Sequence, residues 1–80
     1  MARLLFIGRL EDIAGAAECS VRLEAPVALS ALLAQLPGEL AQALDAPRVR
    51  MALNGVLAPR EGLVIAEADE LAFLPPVSGG

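Results

Sequence analysis

Leu71-Ala72-Phe73-Leu74-Pro75-Pro76-Val77-Ser78-Gly79-Gly80 reads as a strand that runs directly into a stiff tail. Its first four residues are apolar on both faces, with Leu71 and Phe73 on one and Ala72 and Leu74 on the other. The two prolines fix φ near its extended value and remove two backbone donors. The residue before each proline is driven into the extended region as well. Beyond them, Gly79 and Gly80 carry no side chain, so a carboxylate can be threaded where any Cβ would clash. Six extended residues span about 20 Å at roughly 3.3 Å each, enough to enter another protein's active site. The chain therefore divides into a folded domain, residues 1–74, and an extended tail, residues 75–80.

Working outward, residues 2–8 (Ala-Arg-Leu-Leu-Phe-Ile-Gly) form a second strand apolar on both faces, hence central in a sheet. Arg9 to Ala14 predicts a short helical turn, with Gly15 as its C-cap. Cys19 to Ala25 alternates, Val21 and Leu23 against Ser20, Arg22 and Glu24, as a half-buried strand does. After Pro26, Leu29, Leu32, Leu33 and Leu36 give one apolar stripe of a helix that Pro37-Gly38 breaks. Glu39 to Leu44 repeats the spacing in a second short helix. Val49 to Leu53 is a strand, Asn54-Gly55 a hairpin turn, and Val56-Leu57-Ala58 the return arm. Gly62 to Ala66 is either a brief strand or a tight turn packed beneath the sheet.

This order predicts an α+β fold, a mixed sheet of four to five strands with one main helix covering one face. The other apolar face is then left for a partner. Ile7, Leu57 and Leu74 are the expected patch, because Leu74 immediately precedes the tail. Spacing alone does not assign the faces, and core positions for all three stay open.

Composition narrows the chemistry. The hydrophobic fraction is 56% and mean hydropathy +0.61, yet no run approaches the roughly 18 residues of a membrane helix. Leu4-Leu5-Phe6-Ile7 is too short for a signal-peptide core, so a cytoplasmic protein is expected, with no membrane contact. Ten acids against six arginines and no lysine give a net charge of −4, which disfavours nucleic acid and suits docking on a basic protein surface. One cysteine and no histidine exclude an internal disulfide, a Cys/His metal cluster and His-dependent nucleophiles. No metal site and no bound cofactor are expected.

A free carboxylate is a poor acyl donor. It becomes useful once converted to a mixed anhydride such as an acyl-adenylate, which a sulfur nucleophile attacks to leave a thiocarboxylate. That scheme requires an unhindered terminal glycine and a body that docks on two enzymes in turn.

At this point the sequence resembles the MoaD family, the small, sulfur-carrier subunit of molybdopterin synthase. The resemblance is carried by the Phe73-Leu74-Pro75-Pro76-Val77-Ser78-Gly79-Gly80 ending. Leu4-Leu5-Phe6-Ile7, the leucine-rich helix ending in Pro37-Gly38, and Asn54 after a strand support it. The resemblance implies a β-grasp, ubiquitin-like fold and a carrier that is not itself the catalyst, the active site lying on the large subunit. It implies that a ubiquitin-activating-type adenylyltransferase uses ATP to adenylate Gly80. A sulfur donor of cysteine desulfurase or rhodanese type then converts Gly80 to a thiocarboxylate. The tail, Pro75 to Gly79 included, would enter the large subunit and deliver sulfur to cyclic pyranopterin monophosphate, within a heterotetramer of two carriers and two large subunits. Ile7, Leu57 and Leu74 match apolar family positions at that interface. A related carrier for thiamin, cysteine or transfer RNA, or a ubiquitin-like modifier, shares the fold and the Gly-Gly end.

The sequence departs from the family twice. Ala68 stands where the turn before the last strand often has glycine, which argues against a left-handed conformation there. Glu11 stands where the family often has a second arginine, a role Arg9 can fill. Cys19 reads as a small packing residue and the acidic side chains as a solvated population. Arg48 and Arg50 read either as a solvated face or as a contact for an acidic or nucleotide-binding partner.

Overall fold

Strands β1 (Ala2–Phe6) and β7 (Glu70–Leu74) lie side by side and parallel at the centre of a five-stranded sheet in the computed structural model, which describes residues 1–76. β2 (Glu18–Val21) pairs antiparallel with the outer side of β1. On the other side β4 (Arg50–Leu53) pairs antiparallel with β7, and β5 (Val56–Ala58) with β4. The spatial order is β2-β1-β7-β4-β5. A parallel β1–β7 pair needs a crossover. That crossover is the rest of the chain, with helices α1 (Arg9–Ala14), α2 (Leu29–Leu33) and α3 (Gly38–Leu44). The fold is a mixed α+β, ubiquitin-like β-grasp.

Alternation along the strands decides what is buried. Ala2, Leu4 and Phe6 of β1, Leu71 and Phe73 of β7 and Met51 of β4 are essentially inaccessible. Phe6 and Phe73 are register partners, and their rings stack 6.0 Å apart and 10° from parallel. Against this face pack Leu10 of α1, Leu29, Leu32 and Leu33 of α2, and Leu40 and Leu44 of α3. No polar side chain is buried with them among the described residues. Each such Leu or Phe contributes about 1.5–3 kcal/mol.

Two boundaries differ from the sequence reading, and one ambiguity is resolved. The leucine stripe continues to Leu36, but α2 stops at Leu33, and Gln35 and Leu36 donate to the carbonyls of Leu32 and Leu33 in a tighter turn. Pro37 is the cause, since it excludes the helical conformation from the residue before it. Both expected helices are present, but the one read as the main helix, α2, is the shorter, and α3 is the longer. β2 ends at Val21 rather than Ala25, because its partner β1 begins at Ala2 and offers no further ladder. The ambiguous segment near Gly62 is a brief strand, β6 (Val64–Ile65), paired with β3 (Val27–Ala28) in a separate two-stranded sheet.

The turns follow local chemistry. Asn54 and Gly55 both have positive φ, 51° and 85°, which makes the β4–β5 connection a type I′ turn. Gly15 closes α1 at φ 80°, its N–H donating to Glu11 O at 2.8 Å. Ala68, against expectation, also sits at positive φ, 74°. Asp69 holds it there: its N–H donates to Ala66 O at 3.1 Å, and its Oδ2 accepts from Ala66 N–H at 2.8 Å. Asn54 fixes the same corner, donating to Asp69 Oδ1 at 3.0 Å and accepting from Glu70 N–H at 2.9 Å. A network of this kind offsets the roughly 1–2 kcal/mol that a Cβ adds in the left-handed region.

Candidate functional site

The face of the sheet away from the helices has two unlike halves. Toward the start of β1, Arg3 lies between Glu70 and Glu18, with Nη2 2.7 Å from Glu70 Oε2 and Nε 3.4 Å from Glu18 Oε2. That half is charged and internally paired. One register step along, Leu5, Ala72, Ala52 and Leu57 stand opposite one another across β1, β7, β4 and β5. The two alanines leave a shallow trough between the leucines. One step further come Ile7, Leu74 and Arg50: Ile7 N–H donates to Phe73 O at 3.1 Å, and Leu74 is the register partner of Arg50.

At this end an open groove of ≈ 820 Å³ runs across the sheet beside the point where the tail leaves. Ile7, Leu57, Leu74, Pro75 and Pro76 line it, so the structure brings together all the candidate docking residues within residues 1–76. Ile7 is 42% and Leu57 64% exposed, high values for large apolar side chains, while Leu74 is half-buried. Val77, Ser78, Gly79 and Gly80 lie outside the described residues.

The direction of the exit is set at Gly8. Its φ is +59°, and a Cβ built there would meet Pro75 Cγ at 3.1 Å. Both the conformation and the close approach favour glycine. The start of the tail is therefore seated on the turn that follows β1, while Pro76 is exposed.

Sequence reasoning missed two contributors. Pro47 joins Arg48 and Arg50 on the rim of the groove. The loop that carries Pro47 and Arg48 is clamped by Arg60, whose Nη1 donates to Asp45 O (2.7 Å) and Asp45 Oδ1 (2.8 Å). Its Nη2 donates to Ala46 O (2.7 Å) and Val49 O (3.3 Å). The only advance signal was a lone arginine next to Pro59, which is none.

Cys19 sits half-buried on β2, and burial pushes its thiol up, away from what a nucleophilic thiolate requires. Among the described residues no three His, Cys, Asp or Glu side chains converge as metal ligands, and no helix is long and apolar enough to cross a membrane. Glu67 is held below the usual carboxylate range, first by the hydrogen bond from the terminal amine (2.8 Å) and then by Leu23 N–H. Asp69 is lowered by Asn54 and then by Ala66 N–H. None of these groups lines the groove. Among the described residues the groove supplies shape and charge, and no acid–base or nucleophilic group.

Residues 4–80 match the model of the ThiS family. The chain belongs to the ThiS family. It is thus one of the ubiquitin-like sulfur carriers and modifiers, and the resemblance read from the tail is met at this broader level. Among solved structures, this ThiS-family chain is similar to the small archaeal modifier protein SAMP1 of Haloferax volcanii. The identity is 25% and the TM-score 0.77, over 99% of this chain and 98% of that one. A putative molybdopterin converting factor, subunit 1, of Pyrococcus furiosus shares the fold at 19% identity and TM-score 0.72, over 95% and 97% of the two chains. So does a chain in the complex of subunits 1 and 2 of molybdopterin-converting factor of Helicobacter pylori, at 22% identity and TM-score 0.66, over 99% and 97%.

Proposed function

We propose that this ThiS-family chain is the sulfur-carrier subunit of a molybdopterin synthase. The observation that carries the reading is the seat of the tail. The Pro75-Pro76 stalk leaves the body at the mouth of an apolar groove, so a partner gripping the groove is aligned to receive the terminus. In this reading an adenylyltransferase docks first. The Gly80 carboxylate attacks the α-phosphorus of ATP, pyrophosphate leaves, and the acyl-adenylate is held in the enzyme. The outer sulfur of a persulfide on a donor of cysteine desulfurase or rhodanese type then attacks the carbonyl, and AMP leaves. A second thiol reduces the resulting acyl disulfide, forming a disulfide with the donor cysteine and freeing the thiocarboxylate. The large subunit takes its place on the same groove and the tail delivers sulfur to cyclic pyranopterin monophosphate, in a heterotetramer. The Helicobacter pylori complex of subunits 1 and 2 supports a partner of this kind. The chain supplies no bound cofactor of its own, and every chemical step runs on its partners.

The likeness to SAMP1 favours a second reading, a modifier joined to lysines of other proteins through the same terminus. Incubation with the adenylyltransferase, ATP and a sulfur donor, followed by intact mass measurement, separates the two. Exchange of one oxygen for sulfur, and dithiolene formation when the large subunit and cyclic pyranopterin monophosphate are added, is the expected result. An isopeptide-linked ladder without dithiolene formation would establish the modifier instead. One residue appended after Gly80 is expected to abolish sulfur delivery while leaving groove docking intact, and dithiolene formation by that variant would sink the carrier reading.

A further inference from the structure

The carrier reading gives the apolar floor of the groove a purpose but leaves Arg48 and Arg50 without one. Acids outnumber arginines ten to six in this chain, yet among the described residues no acid lines the groove and two arginines do. Arg3 and Arg60 are paired with carboxylates, whereas neither Arg48 nor Arg50 makes an ion pair among the described residues. Both are exposed. Neither is placed by chance: Arg50 is fixed on β4 opposite Leu74, and Arg48 rides on the loop that Arg60 clamps through four hydrogen bonds.

We infer that Arg48 and Arg50 form a steering rim, and that the protein surface received by the groove carries carboxylates beside an apolar ridge. The chemistry of that surface follows from the rim, and only its identity rests on the carrier reading. An exposed guanidinium–carboxylate pair adds about 0–1 kcal/mol to a complex at equilibrium, so the rim acts on encounter more than on residence. Net charge alone points to a basic partner surface, but the groove is locally positive. A body of net charge −4 repels an acidic partner at long range, and the positive rim turns the correct face toward it. Two arginines on an acidic body are too few for a nucleic-acid backbone, which needs a clustered positive face.

The test measures association and dissociation rates of the full chain with two proteins from the same organism, the large subunit of molybdopterin synthase and the adenylyltransferase. Measurements are made at low salt and near 1 M salt, where the screening length is about 3 Å. The variants are R48E/R50E and R48K/R50K, with unfolding midpoints measured alongside to show that both fold. The double reversal is expected to slow association about tenfold or more at low salt and to leave dissociation little changed. The lysine pair, which keeps the charge, is expected to stay within about twofold of the natural chain, and all three are expected to converge at high salt. Binding to the large subunit at a rate indifferent to charge reversal would overturn the rim and leave the carrier reading standing. Salt-sensitive, reversal-sensitive binding to the adenylyltransferase alone would keep the rim and overturn the large subunit as partner. Failure of the natural chain to bind either protein would overturn both.

Discussion

The two faces of the central sheet are built from the same strands and differ in what their alternate residues must satisfy. On the helix side, Leu4, Phe6, Met51, Leu71 and Phe73 are uniformly apolar and sealed. On the other side the side chains change character along the strands, from the Arg3–Glu70–Glu18 cluster to Leu5, Ala72, Ala52 and Leu57, and then to Ile7, Leu74 and Arg50. The first face is organised by burial alone. The second is organised along an axis that ends where the tail departs, with charges paired off at the far end and apolar surface kept open at the near end. A sheet that only had to fold would have no reason for this gradient, since an exposed apolar trough adds nothing to the stability of the isolated chain.

Neighbouring residues on β7 break the comparison most directly. Phe73→Ala is expected to cost about 3–5 kcal/mol in urea unfolding, because it empties the centre of the core. Leu74→Ala is expected to cost less than about 1 kcal/mol of stability while weakening partner affinity about tenfold or more, read by calorimetric titration. If Leu74→Ala were as destabilising as Phe73→Ala, the second face would be core by another name. Next in size is Arg60→Ala, expected to lower stability by roughly 2 kcal/mol because its charge-assisted bonds leave the loop carbonyls unpaired. It should also slow docking, since that loop holds Pro47 and Arg48 at the groove.

Smaller effects belong to the far end and should leave docking untouched. Ala68→Gly relieves a left-handed alanine, less the extra freedom of glycine in the unfolded chain. It is expected to raise stability by about 0.5–1 kcal/mol in urea unfolding. Acidification acts at the same corner. The folded state lowers the carboxyls of Glu67 and Asp69, so their stabilisation is complete above the unfolded carboxylate range near about 4. It is lost as pH falls from there through the folded values, because the unfolded chain takes up protons first. Urea midpoints from neutral pH downward should decline across that window, and Asp69→Asn should flatten the decline.

What could be read without coordinates was what local chemistry dictates. Asn54-Gly55 demands its turn, Gly15 its helix end, and the doubly apolar Leu4 to Ile7 and Leu71 to Leu74 demand central strands. Period-two spacing divides a strand into two faces without saying which one the helices cover, so Ile7, Leu57 and Leu74 were legible as a set only through their relation to the tail. β3 escaped because two residues carry no period. Arg60 escaped because its partners are carbonyls, and any sequence supplies those. Ala68 misled for the opposite reason. Its own preference was read correctly and was overruled by Asp69 and Asn54, the latter 14 residues earlier on another turn.

The parallel pairing of β1 with β7 carries a mechanical consequence. A partner that tugs on the chain beyond Pro76 pulls along the axis of β7, which is flanked by a parallel ladder to β1 on one side and an antiparallel ladder to β4 on the other. The load falls on those rungs together, in shear, and cannot peel them apart singly from an edge. The tail can thus be drawn taut inside a cleft without unravelling the protein to which it is tethered.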